Sequence, residues 1–155
     1  MPIRRKIAKS PKRRLPSRPT PKPRAVKQSA NIEFATPSDV ELVRIKGTPQ
    51  RGGGAGGEAW RIDFRGRRAG IIFVNLIAEL PLGEHASIQI YLNASNQGRH
   101  IGRLAYRKAC SASAHASIYA HMRKSNIASI RAAEEAGFVD ATPPGEVQKI
   151  MVCHK

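Results

Sequence analysis

The stretch whose reading decides the fold runs from Ile88 to Phe138. It opens with Ile88-Gln-Ile-Tyr-Leu92, continues through Asn93-Ala-Ser-Asn-Gln-Gly-Arg-His-Ile-Gly102, and later holds Ile118-Tyr-Ala-His-Met-Arg123 and Ser125-Asn-Ile-Ala-Ser-Ile-Arg-Ala-Ala-Glu-Glu-Ala-Gly-Phe138. Ile88, Ile90 and Leu92 alternate with Gln89 and Tyr91, the period of a strand. The strand stops in Asn93–Asn96, residues that favour turns. Ile101, Leu104, Ala105, Ala109 and Ala112 then recur at helical spacing. Ile118–Arg123 reads as the next strand. Ser125 or Asn126 caps a second helix with Ile127, Ile130 and Ala133 on its apolar side, an Arg131–Glu135 surface pair, and Gly137 as a left-handed stop before Phe138.

The chemistry of this stretch sits where the first helix begins. A helix leaves its first-turn N–H groups unpaired and carries partial positive charge there. Flexible backbone at Gln97–Gly102, with Arg99 and Arg103 alongside, suits a bound pyrophosphate.

Working outward toward the N-terminus, Val40–Ile45 reads as a strand. Lys46–Glu58 is a loop by its glycine content, and no Lys-Ser/Thr or helix follows to make it a phosphate-binding loop, so a flexible connection is expected. Trp60, Ile62 and Phe64 alternate with Arg61, Asp63 and Arg65 as a half-buried strand. Arg65–Gly70 reads as a hairpin turn and Ile71–Ala78 as a continuously apolar strand suited to mid-sheet, closed by Pro81, Gly83 and Glu84. Beyond Phe138, Val139 begins a short strand, Pro143-Pro144-Gly145 turns the chain, and Val147–Val152 forms a last strand.

The charge is unevenly placed. The 155 residues carry 27 Lys+Arg against 11 Asp+Glu, a net +16. Between Arg4 and Lys27 stand eleven basic residues and no acidic one, so removing them leaves +5 for the rest. Six prolines lie between Pro2 and Pro23, and this density of proline and charge, with few apolar groups, predicts disorder over residues 1–30 ahead of one folded domain over residues 31–155. Such an arm fits RNA, DNA or ribosome phosphates; a solubilising extension or an organelle transit peptide are the other readings. It holds no aromatic residue for base stacking. No apolar run approaches the roughly 20 residues of a membrane span, and Cys110 and Cys153 lack metal-ligand spacing, so a reduced cytoplasmic protein without a metal site or membrane partner is expected.

The two halves of the deciding stretch together resemble the GNAT superfamily of N-acetyltransferases. Gln97, Gly98, Arg99, Ile101 and Gly102 fit its Arg/Gln-x-x-Gly-x-Gly/Ala motif between fourth strand and helix. Asn126, Ser129, Gly137 and Phe138 fit a second motif, in the form closest to ribosomal-protein-type and small-molecule N-acetyltransferases. The resemblance implies an α+β fold with a mixed sheet, in which the strands at Ile88 and Ile118 run parallel and splay apart to admit acetyl-coenzyme A. It implies that the backbone of Ile90, Tyr91 and Leu92 and the side of Asn126 and Ser129 meet the pantetheine arm. Gln97, Gly98, Arg99, His100, Ile101, Gly102 and Arg103 would then surround the pyrophosphate. The reaction implied is direct attack of a primary amine on the thioester.

Three departures shape the expectations. His100 stands at a glycine position of the motif, Ala133 replaces the helix tyrosine that donates to the thiolate, and Ile45–Trp60 is too short for the two helices that wall the acceptor. His121, five residues before Asn126, lies where some members place a catalytic glutamate, and a histidine titrates near neutral pH. It is the candidate general base, with Glu79, Glu84 and His85 as alternatives and Tyr119 as candidate acid. The alternatives to an N-acetyltransferase of a protein or small amine are a non-catalytic acyl-coenzyme A-binding or nucleic-acid-associated protein of the same fold, and a toxin acetylating aminoacyl-tRNA.

Overall fold

The computed structural model describes residues 31–155; the expected basic arm over residues 1–30, and its disorder, lie outside the described residues. The apolar runs form seven strands: β1 Val40–Ile45, β2 Glu58–Phe64, β3 Arg67–Glu79, β4 Gly83–Leu92, β5 Ser117–Arg123, β6 Val139–Asp140 and β7 Gln148–His154. Helix α1 spans Ile101–Ala112, between β4 and β5, and α2 spans Ile127–Glu135, between β5 and β6. One sheet in the order β1-β2-β3-β4-β5-β7-β6 contains all seven strands. Its neighbours are antiparallel except β4 and β5, which run parallel. This is the mixed α+β sheet expected.

Strand alternation sorts the side chains onto two faces. Ile72, Val74, Ile88, Ile118 and Ala120 face the helices and form the core with Leu104, Ala105, Ala133 and Phe138. The register puts Phe73, Gln89, His85, Tyr119, His121, Ile150 and Val152 on the opposite face. Both helices therefore lie on one face of the sheet, and the β1–β2 loop meets Ala59, Asn75 and Tyr91 on the other.

Several local expectations are revised. The β2–β3 hairpin turns on Arg65 and Gly66 alone, both with positive φ (50° and 75°), the geometry of a primed two-residue turn that a glycine adopts without strain. β3 consequently begins at Arg67 rather than Ile71, with a bulge in the register after Ile62. β2 is buried on both faces rather than one. Arg61 covers Asp63 with two bonds of 2.8 and 2.7 Å, and Ala59 lies beneath the glycine run. In α1 the buried stripe takes in Tyr106 and Cys110, while Ala112 is exposed.

The glycine run is pinned rather than loose. Gly52 donates its N–H to Asn75 Oδ1, Asn75 Nδ2 donates to the Gln50 carbonyl, and His115 Nε2 meets the Gly56 carbonyl, each at 2.8 Å. Gly52 has φ 75°, and a Cβ there would lie 2.0 Å from the Glu58 carbonyl, so the loop closes this tightly only with glycine. No helix stands between β1 and β2. The buried Glu58 carboxylate ties the far end of α1 to β2: burial opposes its ionisation, but bonds from Ser113, Ala114 and Arg44 outweigh that and hold its pKa below the usual value.

Candidate active site

The parallel strands β4 and β5 share a single ladder pair, Ser87 with Tyr119. Beyond it β4 runs on to Leu92 and β5 to Arg123 without pairing to each other. Peptide groups on the facing edges are thereby left without a partner on the other strand, and the two strands part to leave an opening between them. The two faces of that opening are chemically different.

On the helix face lies a groove of about 550 Å³. Its floor is Ile90 and Leu92, its near end is Gln97, Gly98 and His100, and the first turn of α1 (Ile101, Gly102, Arg103) faces Asn126, Ser129 and Ala132 of α2 across it. Gly102 keeps the groove open: a Cβ there would sit 3.7 Å from Ala132 and 3.9 Å from Leu92, so a methyl fits and a long side chain fills the space. His100 precedes α1 with φ 63° and makes no side-chain cap, leaving the first-turn amides of α1 for an anion. Its ring is held instead by a parallel stack on Phe34, 4.1 Å between centroids and 7° between planes. The Ala35 N–H bonds the Arg99 carbonyl at 2.9 Å, so residues 34 and 35 brace this loop from outside. The residue at the motif's glycine position thus adopts the left-handed backbone of a glycine, stabilised by an aromatic neighbour that the motif alone did not suggest.

Ten of the twelve residues expected around the acyl donor line this groove: Ile90, Leu92, Gln97, Gly98, His100, Ile101, Gly102, Arg103, Asn126 and Ser129. Tyr91 and Arg99 do not. The Tyr91 side chain lies on the opposite face, stacked on Phe73 and beneath Arg51, and the Arg99 guanidinium lies over the Phe64 ring at 5.9 Å. Gln97 Nε2 donates to the Leu92 carbonyl at 3.2 Å, tying the loop to the end of β4. Asn126 Oδ1 accepts the Ser129 N–H at 3.3 Å and caps α2, as its sequence position implied.

Tyr106, Ala128, Arg131, Ala132 and Glu135 also line the groove and were not anticipated. Glu135 does not form its expected pair with Arg131. It binds Arg103 of α1, its carbonyl accepts from Arg107 at 2.6 Å, and Arg103 also meets His100 Nδ1 at 2.6 Å. The Arg103 bond holds the Glu135 carboxyl below its usual pKa. Only the packing of α1 on α2 brings these residues together, so spacing along one helix carried no signal for them. Ala133 is fully buried in the core and lines nothing. Tyr106 reaches the groove from α1, and burial raises the pKa of its phenol.

On the other face, His121 and His85 meet with their Nε2 atoms 2.8 Å apart. The edge of Tyr119 packs on His85 at 5.3 Å between centroids, and His85 Nδ1 lies 2.8 Å from the Gly83 carbonyl. Burial lowers the His121 pKa, and repulsion from a charged His85 lowers it further; Glu79 and Glu146 work against both. The net direction is down, so His121 is neutral and basic at neutral pH. Glu79 is exposed at the end of β3 and acts on His121 through its charge alone; among the described residues it makes no side-chain bond. Of the candidate bases, the structure groups His121 with His85 and Tyr119, and leaves Glu79 and Glu84 exposed at the strand ends. Among the described residues no group of three or more His, Cys, Asp or Glu is arranged for a metal ion.

Solved structures share this fold. RimJ of Mycobacterium smegmatis, in complex with CoA-disulfide, superposes with a TM-score of 0.51 at 17% identity over 63% of this chain and 53% of its own. The aminoglycoside acetyltransferase AAC(6')-Ib, in complex with coenzyme A and kanamycin, gives 0.52 at 20% over 64% and 67%. A variant of spermidine N-acetyltransferase from Vibrio cholerae gives 0.51 at 20% over 64% and 64%. The chain has the GNAT fold. The match spans only about half of RimJ. No protein-family model and no curated protein sequence matches the chain. Within the GNAT fold, the splayed pair expected at Ile88 and Ile118 is β4 and β5, and the usual pair of helices after β1 is replaced here by the pinned loop of residues 46–57. Among the described residues no helix is long and apolar enough to cross a membrane.

Proposed function

We propose that the protein is an acetyl-coenzyme A-dependent N-acetyltransferase that acetylates a primary amine, on a protein or a small molecule, by direct attack. The observation that carries this reading is the opening between β4 and β5, with an anion-ready groove on one face and the contact of His85 with His121 on the other. The groove accepts the donor by three local features. The uncapped first turn of α1 and Arg103 suit the pyrophosphate, Gly102 leaves room for the arm between Ile90 and Ala132, and the unpaired edge of β4 suits its amides. The solved neighbours with coenzyme A bound support the same donor.

In the reaction, the amine nitrogen bonds to the thioester carbonyl carbon, its proton passes to His121, and the carbon–sulfur bond breaks. Amide N–H groups on the splayed edge stabilise the developing oxyanion. Tyr119, or water, returns a proton to the thiolate; Ala133 has no proton to offer. The pinned loop of residues 46–57 leaves the acceptor side without helical walls, which favours an acceptor presented by a larger molecule or enclosed by a partner. The basic arm of residues 1–30 supplies contacts to RNA, DNA or a ribosome by charge. Cys110 and Cys153 are free thiols, which supports a cytoplasmic setting.

A second reading, a donor-binding protein without turnover, is favoured by one observation: Ala133, at the position of the helix tyrosine, is fully buried and has no proton for the thiolate. Calorimetric titration with acetyl-coenzyme A, followed by thiol release against a panel of amines, separates the two. Binding with amine-dependent thiol release is the expected result. Binding without release on any amine selects the second reading, and no binding at all removes both.

A further inference from the structure

We propose that His85 is a positioning residue, holding His121 in the tautomer protonated on Nε2 and so making Nδ1 the atom that receives the acceptor's proton. The inference rests on the acetyltransferase reading for its catalytic half and on hydrogen-bond chemistry for its structural half. A carbonyl oxygen only accepts, so the 2.8 Å contact of His85 Nδ1 with Gly83 requires the hydrogen on Nδ1. A neutral imidazole carries one N–H, which leaves His85 Nε2 as a bare lone pair. The 2.8 Å approach of the two Nε2 atoms needs one hydrogen between them, and His121 must supply it. His121 Nδ1 is then unprotonated.

The surroundings favour the protonated ring. Gln148, two positions from the β7 partner of His121, raises the ring's affinity for a proton, as a side-chain carbonyl that accepts from a ring N–H does. Tyr119 packs its edge on His85 from β5, and the carboxylates reaching the pair are Glu79 from β3 and Glu146 from the turn before β7. When Nδ1 takes the amine's proton, His121 becomes an imidazolium whose Nε2–H points at the His85 lone pair. That bond is then charge-assisted, so the pair is stabilised as the proton arrives. Two protonated rings would set N–H against N–H at the same contact, so the contact holds at most one extra proton.

The test uses the full chain labelled with ¹⁵N-histidine, read by long-range ¹H–¹⁵N correlation at about pH 8, well above the ordinary histidine pKa. The expected spectrum shows His121 with an unprotonated Nδ1 and a protonated Nε2. His85→Phe is expected to give mixed His121 tautomers and an acid limb moved along the pH axis, with kcat lowered about 10–100-fold and the Kd for acetyl-coenzyme A unchanged. His85→Gln, which keeps an acceptor for His121 and a donor for Gly83, is expected to recover the tautomer and most of kcat. A His121 protonated on Nδ1 in the unsubstituted chain, or a His85→Phe variant with the same tautomer and pH profile, overturns the proposal. Because the spectrum needs no turnover, an intact tautomer in a chain that transfers no acetyl group counts against the enzymatic reading instead.

Discussion

The two faces of the β4–β5 opening are built by different means. The helix-face groove is made largely of backbone: the first turn of α1, the loop before it, a glycine that leaves space and an asparagine that caps α2. The opposite face is made of side chains, with His85, Tyr119 and His121 meeting from two strands that share one ladder pair. Backbone sites recognise what is common to many ligands, here a pyrophosphate and a repeating amide chain. Side-chain sites set the chemistry and the choice of acceptor. The contrast predicts that binding of the donor and transfer of the proton can be broken separately.

The largest expected effect is on the groove. Gly102→Glu places a carboxylate between Leu92 and Ala132 and against the phosphates, and should abolish measurable acetyl-coenzyme A binding by calorimetry while the circular dichroism spectrum is kept. His121→Ala attacks the other face. It should lower kcat by about 10²–10⁴-fold, the range for a general base, with the donor's Kd within about twofold of the unsubstituted value. If His121→Ala weakened donor binding as much as Gly102→Glu, the two faces would not be separate sites.

These two positions also show how unevenly the molecule could be read from its sequence. Backbone features follow local rules, so Asn126 as a cap, Gly137 as a stop and the glycine-bearing join before α1 were all legible from residue order. The motif residues before α1 and at the start of α2 line the groove, whereas the side chains of Tyr91 and Arg99 go elsewhere because a strand alternates and because Phe64 offers a ring to a cation, and Tyr106, Ala128, Arg131, Ala132 and Glu135 join the lining without a motif to mark them. What escaped depends on contacts between distant segments. Phe34 under His100, Glu135 on Arg103 and His85 on His121 are separated by 66, 32 and 36 positions respectively, with nothing in spacing to pair them. The pinning of the glycine run leaves no local signal because its anchors, Asn75 and His115, come later in the chain.

Smaller changes sharpen the comparison. Glu135→Gln releases Arg103 toward the pyrophosphate and removes a nearby carboxylate, so acetyl-coenzyme A should bind about 3–10-fold more tightly at low salt, with the gain shrinking as salt screens it. Arg107 still holds the Glu135 carbonyl, so α2 stays docked. The lowered pKa of His121 fixes the sign of the pH response. The unfolded chain binds its proton near the ordinary histidine value of 6.5 and the folded chain only at lower pH, so this group's contribution to stability is full above 6.5 and is lost as pH falls through the folded pKa. Activity should fall in the same direction, with an acid limb below 6.5 in a pH profile of kcat/KM. Asn126→Ala removes a single exposed cap and should cost about 1 kcal/mol in denaturant unfolding, with the smallest effect on either face.

Hydrogen exchange of the full chain, with and without acetyl-coenzyme A, tests the separation of the two faces most directly. The predicted result is slowed exchange over Gln97–Arg103, the unpaired end of β4 and the first turn of α2, with the amides of β2 and the Arg65–Gly66 turn unchanged. Protection centred on β2 or on the loop of residues 46–57, with none before α1, would contradict it.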